Sequence, residues 1–267
     1  KLKKGQDVHF QDFISHAIHF YPDQDYLNRP AEDIFWNIWG LYSFGETPFA
    51  ERDDITHSAK VRVFNPSIEI DSWLSQYTTI YINQRDMPFL VDSIRIEVNR
   101  RNIDIHAINS SVLTVVRDDS GNLQDLVKKG GKSRNTKTKS YEQEALVYLE
   151  INLHTDEAAM SELASSLDSL LEDISLSVTD YKPLLQQVSL AHDNIQQANS
   201  NFLAEGVQET QAFLSWLKDG HFTFLGYTEY EFYEDGGERH LREVSSKRLG
   251  IFRKHPRNDD NIKESSF

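Results

Sequence analysis

The sequence predicts an α+β fold: an antiparallel four-stranded sheet carrying two helices on one face, flanked by further helices and closed by a strand-rich tail. Two patterns predict it. Apolar and polar residues alternate over TTIYIN, over Ile103, Ile105 and Ala107, and over Ala145, Val147, Leu149, Ile151 and Leu153, the two-residue period of half-buried strands. Between and after these runs the period lengthens: Leu90, Val91, Ile94 and Val98 share one side of a helix, with Asp92, Arg95 and Asn99 on the other, and Met160, Leu163, Leu167, Leu170, Leu171 and Ile174 fill the rows of a second. Read together with LSVTDY as a last strand, residues 78–181 run strand, helix, strand, strand, helix, strand, a split βαβ unit.

The elements follow in order. Residues 1–58 read as a helical segment, in which Phe10, Phe13, Ile14 and Ile18 recur at helical spacing before Pro22, and Ile34, Phe35, Ile38, Leu41 and Tyr42 after Pro30. Residues 59–181 form the sheet domain, opened by the strand AKVRVF, which stops at Asn65-Pro66. In QRDMPFLVDSI, at 84–94, Asp86 is expected to cap the first sheet helix and Pro88 to occupy its first turn, where an N–H would be unpaired anyway. VLTVV prolongs the next strand to Arg117-Asp118. A polar loop then spans 119–142, with Lys128, Lys129, Lys132, Arg134, Lys137 and Lys139 as a basic cluster read as a solvated hairpin loop. Thr155-Asp156 caps the second helix. Residues 182–220 read as a helical hairpin or connector ended by Gly220, and residues 221–267 as a β-rich segment leading into a next module. In that segment Asp235-Gly236-Gly237 marks a hairpin, and Phe222, Phe224, Tyr230 and Phe232 are expected on a buried strand face.

Composition excludes several classes of function. With 39% hydrophobic and 26% charged residues the chain is that of a globular protein. A net charge of -14 repels phosphate backbones and anionic lipid, so neither nucleic acid nor membrane is an expected partner. No cysteine is present, which removes disulfides, thiolate metal sites and cysteine nucleophiles. No run approaches the ~18 consecutive apolar residues of a membrane span, and a cytoplasmic location is expected. The first residue is not methionine and the last stretch, NDDNIKESSF, is polar, so a longer parent chain is expected.

Motifs that carry chemistry are missing from the sequence. No G-x-G-x-x-G follows a strand, and neither a P-loop nor a Gly-x-Ser-x-Gly nucleophile turn occurs. His16 and His19 lie three apart, but on a helix rich in core aromatics and without H-E-x-x-H; no metal is expected. Pairs such as Asp53-Asp54 and Asp259-Asp260 arise by chance among 42 acidic residues and face water. The turn Arg85, Asp86, Met87, Pro88, Phe89 remains as a ligand-binding candidate, because exposed N–H groups at a helix start suit a carboxylate. As a plain helix start it needs no ligand.

A strand that ends in Arg-Asp-x-Pro, enters an amphipathic helix and returns as Ile-x-Ile resembles the first half of an ACT domain, a ferredoxin-like βαββαβ fold. In that family the turn often carries Asp-Arg-Pro-Gly, and here Phe89 replaces the small residue usual there. MPFLVDSI at 87–94, WLKDGHFTFLGYTEYEF at 216–232 and RLGIFR at 248–253 are together similar to the amino-terminal region of the large bacterial-type NAD-dependent glutamate dehydrogenases. The resemblance implies an N-terminal regulatory or oligomerisation segment, without catalytic residues or cofactor of its own, in a parent enzyme that uses NAD to convert L-glutamate to 2-oxoglutarate and ammonia. Its implied partners are other copies of itself, the catalytic region of the same chain and an amino-acid effector. A stand-alone amino-acid sensor and a purely structural docking module are the alternatives.

Overall fold

The computed structural model describes residues 6–17, 29–49, 59–127, 141–197, 204–235 and 238–255. The chain divides into two compact units, Lys1–Glu172 and Asp173–Phe267. The basic cluster of 128–139, His19, Asp53-Asp54 and Asp259-Asp260 lie outside the described residues. Among the described residues no helix is long and apolar enough to cross a membrane.

The first unit contains α1 (Gln6–Ala17), α2 (Ala31–Glu46), β1 (Lys60–Phe64), the single turn α3 (Ile68–Asp71), β2 (Thr78–Arg85), α4 (Leu90–Arg100), β3 (Ile105–Arg117), β4 (Leu123–Val127) and β5 (Glu142–Ile151). The strands form one five-stranded sheet in the order β1-β2-β5-β3-β4, with every neighbouring pair antiparallel. β5 lies at its centre, paired with β2 through Ile80↔Leu149 and with β3 through Ile108↔Leu149.

Strand alternation sends successive side chains to opposite faces, and each face here has its own helical cover. Tyr81, Leu113, Val115, Leu146 and Tyr148 point to one side, where they form a continuous core with Phe10, Phe13 and Ala17 of α1 and Ile38, Leu41 and Tyr42 of α2. Phe10, Phe13, Trp39, Tyr42 and Phe44, aromatic residues of α1 and α2, therefore form the lid of this face. Phe10 meets Trp39 edge-on at 4.8 Å, and the Tyr81 hydroxyl donates to Asn37 Oδ1 at 2.6 Å. Ile80, Ile82, Val147, Leu149 and Ile151 point to the other side, together with Gln84, whose amide donates to the Leu171 carbonyl of α5 (Glu157–Thr179). Leu90, Ile94 and Val98 of α4, and Leu163, Leu167 and Leu171 of α5, are the buried stripes that cover it.

Several expectations need correction. LSVTDY is not a strand: α5 continues through Leu176 to Thr179, and Asp180 forms the turn into the next helix. The ladder Leu163, Leu167, Leu171, Ile174 is spaced at four and three residues and carries the helix onward, and an alternating triplet such as Leu-Ser-Val is too short to oppose it. The sheet has five strands instead of four, because β1 takes the edge beside β2 and LQDLV, within the region read as a loop, pairs with β3 as β4. The βαββαβ order is thus replaced by two strands, a helix, three strands and a helix.

The second unit begins within α5 and continues through α6 (Tyr181–Gln197) and α7 (Ala204–Trp216), which ends in a wide turn where Gly220 takes φ +85°. Two short ladders follow: β6 (Gly226–Tyr227) with β9 (Leu249–Gly250), and β7 (Tyr230–Asp235) with β8 (Glu238–Glu243). Asp180 organises this unit. Its buried carboxylate accepts the Gly250 N–H at 2.7 Å and a bidentate pair of bonds from Arg253 at 2.5 and 2.9 Å. Gly250 sits at φ +59°, and a Cβ there would lie 2.1 Å from the Leu225 carbonyl oxygen. The glycines and terminal arginine of FLGY and RLGIFR therefore close this ladder onto α5 and α6. The tail aromatics do not form one buried face: Phe222 and Phe232 are exposed and Phe224 and Tyr230 half-buried, and β7 and β8 pair as a two-stranded ribbon among the described residues.

Candidate functional site

The turn singled out by sequence joins β2 to α4. Arg85 ends β2 opposite Glu144 and is exposed. The Asp86 N–H donates to the Gln143 carbonyl at 2.7 Å, which extends the β2–β5 ladder by one bond. Met87 turns inward and its Sδ accepts from the Gln84 amide at 3.4 Å, whereas Pro88 is exposed. Phe89 is the N-cap of α4, in the left-handed region at φ +68° and ψ 0°, with its ring 57% exposed. Its carbonyl accepts the first helical bond, from the Ser93 N–H at 2.9 Å.

Asp86 does not cap α4, and Pro88 precedes the helix instead of opening it. The ladder bond of Asp86 holds it at the strand end, three residues short of the N-cap, so no side chain reaches the orphan N–H groups. Asp92 in the first turn supplies the negative charge that a helix start favours. The left-handed φ explains why glycine suits this position: a Cβ there crowds the following carbonyl.

A second cluster, which the sequence does not announce, lies on the face covered by α2. Lys60 of β1, Asn83 of β2, Arg117 of β3 and Glu144 of β5 converge on the C-terminal end of α2. Arg117 donates to Glu144 from Nε at 2.6 Å and from Nη2 at 2.9 Å, and Asn83 adds a bond at 3.2 Å. Arg117 also donates to the carbonyls of Gly45 at 2.7 Å and Gly121 at 2.8 Å. Lys60 Nζ donates to the carbonyls of Phe44 at 2.7 Å and Thr47 at 2.5 Å, and lies 4.7 Å from the centre of the Phe49 ring.

The carbonyls of Phe44, Gly45 and Thr47 are the unpaired acceptors that a helix end leaves, so two cations here meet both the hydrogen-bonding need and the negative end of the helix dipole. Burial, together with the neighbouring Arg117 charge and against the pull of Glu144, lowers Lys60 to about 7. The cluster fastens α2 to four strands. The signal that could have found it is a charged residue on a strand face otherwise apolar, but only the register shows that these charges meet.

A third polar group fastens α4 to α5. Burial of Glu97 would raise its carboxyl, but hydrogen bonds from Ser166, Arg101 and Arg100 outweigh this and hold it below the ordinary carboxylate range. Sequence patterning placed Arg95 and Asn99 on the polar side of α4 without marking Glu97 as buried. Among the described residues no group of three or more histidine, aspartate or glutamate side chains could hold a metal ion.

An antiparallel sheet with an amphipathic helix entered through a strained strand-to-helix turn makes the first unit an α+β domain. Residues 13–167 match the glutamate dehydrogenase ACT1 domain family, and the chain belongs to that family. It is 34% identical over 254 residues to a protein named NAD-specific glutamate dehydrogenase from Halomonas elongata, a match that covers 95% of this chain and 15% of that protein. A protein of the same name from Pseudomonas aeruginosa is 35% identical over 196 residues, 73% of this chain and 12% of its own length. The matches thus span 15% and 12% of the lengths of these two curated relatives.

Proposed function

We propose that this chain is the N-terminal regulatory and assembly segment of an NAD-dependent glutamate dehydrogenase, and that it contributes no residue to hydride transfer. The observation that carries this reading is the family match over 13–167, joined to relatives of which the match covers about 15%. The parent enzyme would deaminate L-glutamate oxidatively to 2-oxoglutarate and ammonia, with NAD as hydride acceptor. The segment would act on it by joining subunits or by binding an effector, since a ligand shifts only an equilibrium between states it binds unequally. Self-association is the favoured use. Arg85 to Phe89 would supply the contact: Phe89 holds an exposed ring on a strained backbone, and such strain persists where a site needs it.

The test compares the parent dehydrogenase with a version lacking residues 1–172. Altered subunit number in sedimentation, or loss of an amino-acid response in NADH formation, supports the reading. An enzyme with unchanged assembly and unchanged kinetic response overturns it, as does NADH formation by the 267-residue chain alone.

A further inference from the structure

The second unit has little apolar interior and much apolar surface. Among its described residues the buried hydrophobic side chains are Ile174, Leu176 and Leu184, and Ser175, Asp180 and Glu243 are buried beside them as polar ones. Tyr181, Leu190, Phe213, Trp216, Phe222 and Leu225 are exposed. A folded unit is held by the apolar area it takes out of water, and this one still has most of its large apolar side chains to bury.

The exposed rings at the end of α7 are ordered. Phe213 and Trp216 stack with ring centres 6.1 Å apart and planes at 17°, and Trp216 stacks on His221 at 5.1 Å and 16°. His221 Nδ1 donates to the Trp216 carbonyl at 3.1 Å, which fixes the turn between them. Phe222 meets Phe224 at 5.2 Å, and the Leu225 carbonyl accepts from the Ile251 N–H at 2.9 Å and from the Ser177 hydroxyl at 3.0 Å. Rings held in this way lose little freedom on docking, and tryptophan is prominent among the residues that carry binding energy. The stretch includes WLKDGHFTFLG at 216–226, outside the family match over 13–167. It lies inside the match to the Halomonas protein, which takes in 254 of the 267 residues and so leaves at most 13 at the ends.

We infer that the stack of Phe213, Trp216 and His221, continued by Phe222 and Leu225, is a docking surface for the polypeptide that follows residue 267 in the parent dehydrogenase. The face it meets is apolar and carries arginine, whose guanidinium lies flat on such rings. Two arguments select this occupant. Most of the Halomonas protein lies outside the match, and a partner on the same chain meets the surface at an effective concentration of the order of millimolar, which favours it over a separate protein. A second copy is disfavoured at this surface: Glu209, one turn before Phe213, and Asp219 outnumber Lys218, so a symmetric contact sets like charges against each other. The inference rests on the reading of this chain as one segment of a longer dehydrogenase.

Hydroxyl-radical footprinting read by mass spectrometry compares the 267-residue chain with the parent enzyme, each normalised to Trp36, an exposed ring of α2. Phe213, Trp216 and Phe222 are expected to be oxidised readily in the short chain and at least about fivefold more slowly in the parent. In the parent, Trp216→Ser should return Phe222 to within about twofold of the short chain, whereas Leu190→Ser, exposed on α6 outside the stack, leaves it protected. Both variants are also made in the short chain, where unchanged circular dichroism shows that they fold. Equal oxidation in the two proteins, or protection that Trp216→Ser leaves intact, overturns the docking surface. Either result leaves the dehydrogenase reading standing, because removal of residues 1–172 tests that separately. Dimerisation of the short chain that Trp216→Ser abolishes would make the occupant a second copy and overturn the inference as well.

Discussion

Arg117 and Glu144 form a bidentate ion pair across β3 and β5 with side chains only 6% and 3% exposed. A pair so placed costs desolvation to form, and breaking it from one side leaves a buried charge without its counterion. Glu144→Gln is therefore expected to lose about 3–5 kcal/mol of unfolding free energy. Arg117→Met combined with Glu144→Leu should lose less than the sum of the single changes. Urea unfolding of the native chain, Glu144→Gln, the singles Arg117→Met and Glu144→Leu, and their double variant checks this, and strict additivity within the cycle would refute a coupled pair.

The lowered value of Lys60 gives the pH dependence a sign. In the native chain it releases its proton near 7, in the unfolded chain near 10.5. Between those values the unfolded state holds one more proton, so stability rises with pH, by at most about 1.4 kcal/mol per unit from this group. Below 7 both states are protonated and the contribution is flat. Denaturant midpoints at pH 6, 7, 8 and 9 should therefore climb more steeply for the native chain than for Lys60→Met; parallel curves would contradict the shift.

The second unit should depend on Asp180 and on Gly250, the residue whose N–H it accepts. Asp180→Asn removes charge from bonds to Arg253 and weakens the acceptor for the Gly250 N–H, an expected loss of about 2–3 kcal/mol. Gly250→Ala must move backbone at Leu225 and should cost more. Limited proteolysis reads the effect as faster cleavage within 226–253. Equal resistance in all three proteins would show that another contact holds the ladder.

At Phe89 the expectation runs the other way. Glycine releases the left-handed strain, worth about 1–2 kcal/mol, against about 0.5–1 kcal/mol of added unfolded-chain entropy. Phe89→Gly is thus expected to stabilise the isolated chain by about 0.5–1 kcal/mol. Thermal unfolding measures it. A clear destabilisation would mean that the ring packs more than its exposure implies.

Much of the first unit was legible because its signals are local. The alternation in β2 and β5 and the stripe of α4 each lie within a dozen residues, and both survived folding. The aromatic run of α1 and α2 announced buried helices but not their place, since nothing local says which sheet face they cover. LSVTDY failed because a helix stripe sampled over three residues looks like a strand. β4 failed because LQDLV sits among glycine and charge, and only its pairing with β3 makes it a strand. The cluster of Lys60, Asn83, Arg117 and Glu144 spans residues 60–144 and exists only once the register is set. The left-handed backbone under Phe89 had no residue-type cue, since glycine is the residue that would normally advertise it.

Helices pack over both broad surfaces of the first unit's sheet, but on the α4 and α5 side Ser110 and Val112 of β3 stay exposed, so that face is not fully covered. The rims are a second route: among the described residues, β1 and β4 are the edges of the ladder, with one side of each backbone unpaired. Copies of this domain that extend the ladder must do so rim to rim, as one continuous ribbon, whereas contact through the 85–89 turn, the exposed part of β3 or the helix surfaces leaves each sheet separate.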